Sequence, residues 1–187
     1  MRLRVKGGIL LASAGLFVMS SGPAAAQKID DATQFNGTPK TNDARFAADA
    51  AMGSMLEFEL GKLAVQKASS DKVKQFGQRM VDDHSKAVDD LKGIAVKDNL
   101  SIPSELDAGR KAVVDRYSRL SGTAFDRAYI RDMVKDHQTE IADFRNEANS
   151  GVNADLKSWA TITLPTLQEH LRIAKEMEGS LGATSSK

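Results

Sequence analysis

The chain has no cysteine among its 187 residues. Disulfides, zinc–thiolate centres, iron–sulfur clusters, cysteine nucleophiles and a lipid on an N-terminal cysteine are therefore excluded. Stability has to come from packing, alone or with a ligand. Charge of one sign is missing as well: 26 basic residues meet 25 acidic ones, intermixed along the chain, so no basic surface for nucleic acid is indicated. No segment beyond the N-terminus is apolar for the roughly 20 residues that a membrane span needs. There is no glycine-rich phosphate loop, no GxSxG elbow and no nucleotide fingerprint. Histidine occurs only three times.

What is present begins with a leader. MRLRVK supplies positive charge, GGILLASAGLFVM is a short apolar stretch, and Ala24 and Ala26 are small residues placed for a cut. That layout predicts a cleavable export signal over residues 1–26. Loss of Arg2, Arg4 and Lys6 with it leaves 23 basic residues against 25 acidic. Residues 27–41 are rich in Asp, Thr, Asn, Gly and Pro and read as a flexible polar leader. The expected location is the periplasm or the exterior, peripheral to the envelope at most. Partners and oligomeric state are not legible.

From residue 42 to 181 the pattern is helical throughout, with a frayed tail over 182–187. Thr41 or Asn42 is placed to cap a first helix that runs to about Ser69, and Ser70 to start a second directly after it. So short a connection implies an antiparallel hairpin. LSIPSEL, with Pro103, ends the second helix and opens a shorter one over about Ser104 to Leu120. Thr123 is placed to cap a third long helix, Gly151 to end it, and Asn153 or Asp155 to begin a fourth, within which Pro165 predicts a kink. No segment alternates as a strand does. The fold class is all-α: a four-helix bundle of two hairpins joined by one long connection with its own short helix. That is the ferritin-like arrangement, with a plain up-down bundle as the alternative.

Positions three and four apart share a helix face. The second long helix aligns Val73, Phe76, Met80, His84 and Leu91; the third aligns Phe125, Tyr129, Met133, His137, Ile141 and Phe144; the fourth aligns Leu156, Ala160, Leu167, His170 and Ala174. All three histidines fall on or beside an apolar stripe. Two of them close the matching pentads MVDDH and MVKDH, 53 positions apart. On the first helix the stripe Phe46, Ala50, Gly53, Glu57, Leu60, Ala64 has a carboxylate at its centre, which needs a cation, a histidine or water beside it. Glu140, one turn beyond His137, adds a second carboxylate.

Glu57, His84, His137, Glu140 and His170 are thus the candidate metal ligands, of the types that hold iron, copper, zinc or manganese. Met80 and Met133, each one turn before a histidine, would add soft sulfur but read first as core filler. The same residues can instead form a metal-free hydrogen-bonded layer that fixes helix register. Asp83 and Asp136 point about 100° away from the neighbouring histidines and can only support them.

The stretches EFELGKLAVQKASSDKVKQFGQRMVDDHSKAVDDL, LSGTAFDRAYIRDMVKDHQTEI and LKSWATITLPTLQEHL, in that order, resemble the domain-of-unknown-function family 4142. The resemblance implies a bacterial, exported, ferritin-like bundle without an assigned activity, in a family often labelled as outer-membrane proteins. Outer-membrane spans are normally closed β-barrels, so a periplasmic placement fits the helical pattern better. Di-iron ferritin-like proteins carry Glu-x-x-His repeats; here the order is reversed, as His137-Gln-Thr-Glu140. The functional expectation is a transition metal held between helices, in metal handling or envelope protection. The alternatives are a metal-free structural or interaction module and an oxygen-activating di-metal enzyme.

Overall fold

Capping chemistry sets where each helix starts and stops. The computed structural model describes residues 39–183 and contains, in order, α1 (Pro39–Lys67), α2 (Asp71–Asp98), α3 (Ala108–Ser118), α4 (Gly122–Ser150) and α5 (Ala154–Ala183). The expected signal, most of the leader and the last residues of the tail lie outside the described residues. α1 begins at Pro39, ahead of the expected Thr41–Asn42 start, because proline's preset φ and missing N–H suit a first helical turn. α2 stops at Asn99, whose φ of 53° is left-handed, before Pro103 is reached. α3 starts later than Ser104, since the Asp107 carboxylate accepts from the Arg110 N–H at 2.7 Å. The cap of α4 is Ser121 rather than Thr123, and Gly122 beside it takes a φ of 60°, which glycine adopts without strain. Asn153 accepts from the Leu156 N–H at 2.9 Å and so caps α5, which continues unbroken through Pro165.

α1 packs along α2 and α4 along α5, while α1 also meets α4, α2 meets α5, and α3 lies on α1. Two apolar cores result. One gathers Leu60, Ala64, Val73, Phe76, Met80, Phe125, Tyr129, Met133 and Ala174; the other gathers Ala47, Ala50, Leu91, Ile141, Phe144, Leu156, Trp159 and Leu167. α1 and α5 run from the second core to the first, and α2 and α4 from the first to the second. α2 ends beside the second core and α4 begins beside the first. The chain between them therefore crosses the full length of the bundle, carrying α3 with it. Among the described residues every regular element is a helix, and the fold is the predicted all-α, ferritin-like bundle.

Close approach within the first hairpin depends on two glycines. A Cβ on Gly77 would lie 2.6 Å from the Ala64 Cβ, and one on Gly61 would lie 2.7 Å from the Gly77 carbonyl oxygen. Each hairpin is also latched by an aspartate of the other. Asp126, near the start of α4, accepts from the Ser69 and Ser70 N–H groups, both at 3.0 Å, and from the Ser69 hydroxyl at 2.6 Å. Asp43, near the start of α1, accepts from the N–H groups of Val152 at 3.1 Å and Asn153 at 2.5 Å. Both carboxylates are buried, and the N–H groups they receive would otherwise be orphaned at helix starts.

Glu147 lies buried near this second latch, with its Oε1 lacking any hydrogen-bond partner. Burial, then the charge of Asp43, pushes its carboxyl up to about 7. An unfolded glutamate titrates near 4.3, so the folded state binds the extra proton between these values. The neutral carboxyl's contribution is complete below the unfolded value and is lost as pH rises through about 7. Glu147→Gln should therefore leave the urea midpoint close to wild type at pH 4 and raise it at pH 8. An equal difference at both pH values would contradict this account.

Candidate metal centre

Each long helix passes from one apolar core to the other at its ionisable residue. On α1 the change falls at Glu57, on α2 at His84, on α4 at His137 and on α5 at His170. The periodicity that buries the cores on either side therefore also turns these four side chains inward, and all are at most 2% exposed. The sequence-predicted residues come together in one polar layer. Glu140, one turn along α4, joins them half-buried.

Glu57 lies between two imidazoles. Its Oε2 is 3.2 Å from His84 Nε2, and its Oε1 is 3.2 Å from His137 Nδ1. These contacts have the separation of hydrogen bonds without the alignment, and both oxygens remain unpartnered, as do both ring nitrogens of His84 and Oε2 of Glu140. Ring centroids of the three histidines are 5.2–5.8 Å apart. Each histidine offers a ring nitrogen within 4.8 Å of those of the other two. Glu57, His137 and Glu140 form a second such group, so the two sets share His137.

A chain of contacts crosses the layer, from the Met133 carbonyl to His137 to His170 to Asp83. His137 Nδ1 is 3.0 Å from the carbonyl oxygen, which can only accept, so this nitrogen carries the proton. His170 Nε2 is 2.7 Å from Asp83 Oδ2, which also accepts from Arg79 Nε at 3.3 Å. That ring nitrogen therefore donates too. Two neutral imidazoles have no further N–H to offer. Yet His137 Nε2 and His170 Nδ1 face each other at 3.2 Å, lone pair against lone pair. The contact requires a third proton or another cation.

A proton is disfavoured at neutral pH. Burial holds His137 down to about 4, although its bond to the Met133 carbonyl acts the other way. His170 is lowered to about 3 by burial, then by His137 and Arg79. The Asp83 carboxylate at 2.7 Å favours the charged ring and opposes this, but the desolvation of a fully buried imidazole is the larger effect. His84 is lowered by the same burial and by the other two rings. Burial and the charge of Glu140 raise Glu57 well above the usual carboxylate range, and burial raises Glu140 to about 7.

A metal ion is the alternative to that proton. Two imidazole nitrogens on one tetrahedral ion, each about 2.05 Å from it, stand about 3.3 Å apart, close to the observed 3.2 Å. A cavity of about 20 Å³ borders Ser54, His84, Ala87, Glu140 and His170, space for one water or one ion. Of the candidate ligands, His84, His170 and Glu140 line this space, while His137 and Glu57 stand outside its lining, 3.2 Å from His170 and His84 respectively. Asp83 and Arg79 would orient His170 from outside, as metal-bound imidazoles commonly require. Met80 and Met133 lie in the first apolar core, fully buried. Asp136 is not among the hydrogen-bonded partners of the histidines.

The fold has solved relatives of low sequence identity. A crystal structure of a DUF305 fragment from Deinococcus radiodurans superimposes with a TM-score of 0.63 at 14% identity, over 76% of this chain and 96% of the other. A DUF305 protein from Streptomyces coelicolor, named as secreted, does so with a TM-score of 0.64 at 13% identity, over 75% and 94%. At such identities the likeness shows the fold alone. No curated protein matches. No helix among the described residues is long and apolar enough to cross a membrane. Residues 26–177 match the domain of unknown function DUF4142, and the chain belongs to that family.

Proposed function

We propose that this chain is an exported helical domain that binds one first-row transition ion between its four long helices. His84, His137 and His170 supply the imidazoles, and Glu57 with Glu140 the carboxylates. The observation that carries the reading is the pair of buried imidazole nitrogens, His137 Nε2 and His170 Nδ1, that face each other at 3.2 Å while the N–H groups of both rings are directed to the Met133 carbonyl and Asp83. Beside them sit polar atoms of Glu57, His84 and Glu140 without an aligned hydrogen-bond partner. Unpartnered buried polar groups destabilise by about 1–3 kcal/mol each, and native proteins keep few of them without a reason. One ion is favoured over two, because the two ligand groups share His137. The mixed nitrogen and oxygen set suits iron, copper, zinc or manganese.

The role that follows is metal handling or protection of the envelope, without a catalytic assignment. Export is supported by the basic, apolar and small-residue sections of residues 1–26 and by a family match that begins at residue 26. N-terminal sequencing of protein taken from the periplasm should read from Gln27. A chain still starting at Met1 would remove the export reading.

The metal reading is tested by elemental analysis of protein purified without chelator or histidine tag. One equivalent of a transition metal is expected, absent from a His84→Ala/His137→Ala double variant. Stripping the metal should lower the melting temperature; at free metal 100-fold above Kd the stabilisation amounts to about 2.7 kcal/mol. No bound metal, with melting unchanged by iron, copper, zinc or manganese, would leave a metal-free polar layer instead.

Asp83→Asn separates the two readings further. The amide can donate to His170 Nε2, which lets His170 Nδ1 donate to His137 Nε2 and satisfies the chain with two neutral rings. The metal-free variant should melt at or above wild type, even after losing an exposed Arg79 pairing worth roughly 0–1 kcal/mol. Added metal should then stabilise it less than wild type, because His170 Nδ1 has become a donor. A variant that melts below wild type without metal and binds metal as well would refute the proton count.

A further inference from the structure

A second cavity, of about 350 Å³, opens between α1 and α4 and is lined by Asp49, Asp143, Glu147 and Glu140. Arg45 stands at the same opening, 3.5 Å from Asp49, so carboxylates outnumber cations there. The acidic lining alone would describe only a solvated face. A further observation points inward: Glu140 Oε2 is buried without a partner, whereas the unpartnered Oε1 of Glu147 lies against Gly151 at the end of α4. Moreover, this outer cavity and the ion-sized inner one beside His84 and His170 share two residues, Glu140 and Phe144.

Glu140 occupies the partition because α1 has no side chain there. A Cβ on Gly53 would fall 2.8 Å from Glu140 Oε1, so the carboxylate lies across the glycine. Phe144 forms the other part of the wall, held edge-on against Phe46 at 5.0 Å and beside Trp159 at 5.1 Å. A larger cavity, about 540 Å³ between α1, α2 and the crossover, shares no residue with the inner one. Size therefore does not mark the way in; the shared carboxylate does.

We propose that the α1–α4 cavity is the entrance by which a hydrated divalent cation reaches the histidine layer, and that Glu140 passes it from the outer carboxylates to the imidazoles. The proposal rests on the metal reading above and adds its route. Asp49 and Asp143 concentrate the cation at the opening. Glu140 replaces the cation's waters with carboxylate oxygens, so that it is never bare in the apolar partition. Inside, His84 and His170 border the space that receives it. Clefts lined by one sign of charge raise association rates by about 10- to 1,000-fold, so the outer pair should govern rate more than final occupancy.

The test uses cobalt(II), whose absorption reports its ligands, added to the metal-free protein at low ionic strength. Equilibrium titration gives stoichiometry and stopped-flow mixing gives the association rate. Asp49→Asn/Asp143→Asn should bind the same single equivalent but about tenfold more slowly. Asp89→Asn/Asp115→Asn removes equal charge beside the 540 Å³ cavity and should bind at the wild-type rate. Unchanged association in the first double variant, or equal slowing in both, would overturn the entrance. Wild-type protein that gives no cobalt signal at equilibrium would overturn the metal reading itself, and the route with it.

Discussion

In the middle of this bundle two buried imidazole nitrogens, His137 Nε2 and His170 Nδ1, face each other at 3.2 Å with no N–H left for either to donate. Four long helices bring one carboxylate and three imidazoles to the same level, each at most 2% exposed. Burial drives all of them toward their neutral forms. Neutral imidazoles carry one N–H apiece, and the Met133 carbonyl and Asp83 carboxylate claim those of His137 and His170. What remains between the two rings is a pair of lone pairs. Electrostatics in a low-dielectric interior makes such an arrangement costly when empty and strongly attractive to a cation. The rest of the structure can be understood as a frame that keeps these groups from rearranging.

That frame is rigid for local reasons. Apolar cores above and below the layer fix the rotation of each helix, because turning one helix would expose its stripe at both ends. Gly61 and Gly77 let α1 and α2 approach closely, which brings Glu57 within reach of His84. Asp43 and Asp126 tie each hairpin's turn to the opposite hairpin, so the two halves cannot slide past one another without stranding N–H groups. Sliding is the motion that would separate Glu57 and His84 from His137 and His170. The latches and the layer therefore resist the same displacement.

Much of this could be read from sequence, and the limits are physical. Helical periodicity reports which face a residue occupies, so Glu57, His84, His137 and His170 were legible as inward groups, and Glu140 followed from its place one turn beyond His137. Periodicity does not report which atom faces which across the bundle. Asp83, set 100° from His84, has no tie to its own helix's histidine; it reaches His170 on α5, a neighbour that only the packing defines. Glu147 carries a charge that argues for solvent, yet it is buried beneath the α4–α5 turn. The helix starts at Pro39 and Ser121 differ from expectation because proline and glycine conformations outweighed the nearest hydroxyl cap. One signal was present and would have helped: Asp126 follows Asp43 by 83 residues, as Asn153 follows Ser70 and Glu140 follows Glu57. That shared spacing marks the two latches and the carboxylate pair together.

The same spacing shows why the three imidazoles gather on one side of the layer. Shifted by 83 residues, the hairpins map Glu57 onto Glu140, Phe76 onto Trp159 and Gly77 onto Ala160, so the scaffold is nearly repeated. The histidines are not. His137 corresponds to Ser54, His170 to Ala87 and His84 to Leu167. Ser54, Ala87 and Leu167 all line the cavity of about 20 Å³. Two of the three counterparts are small, so the volume that an imidazole fills on one side of the pseudo-axis is left open on the other. A symmetric bundle with six histidines would have packed this space shut. Breaking the repeat at three positions leaves paired carboxylates, a one-sided set of imidazoles and an opening of ionic size between them.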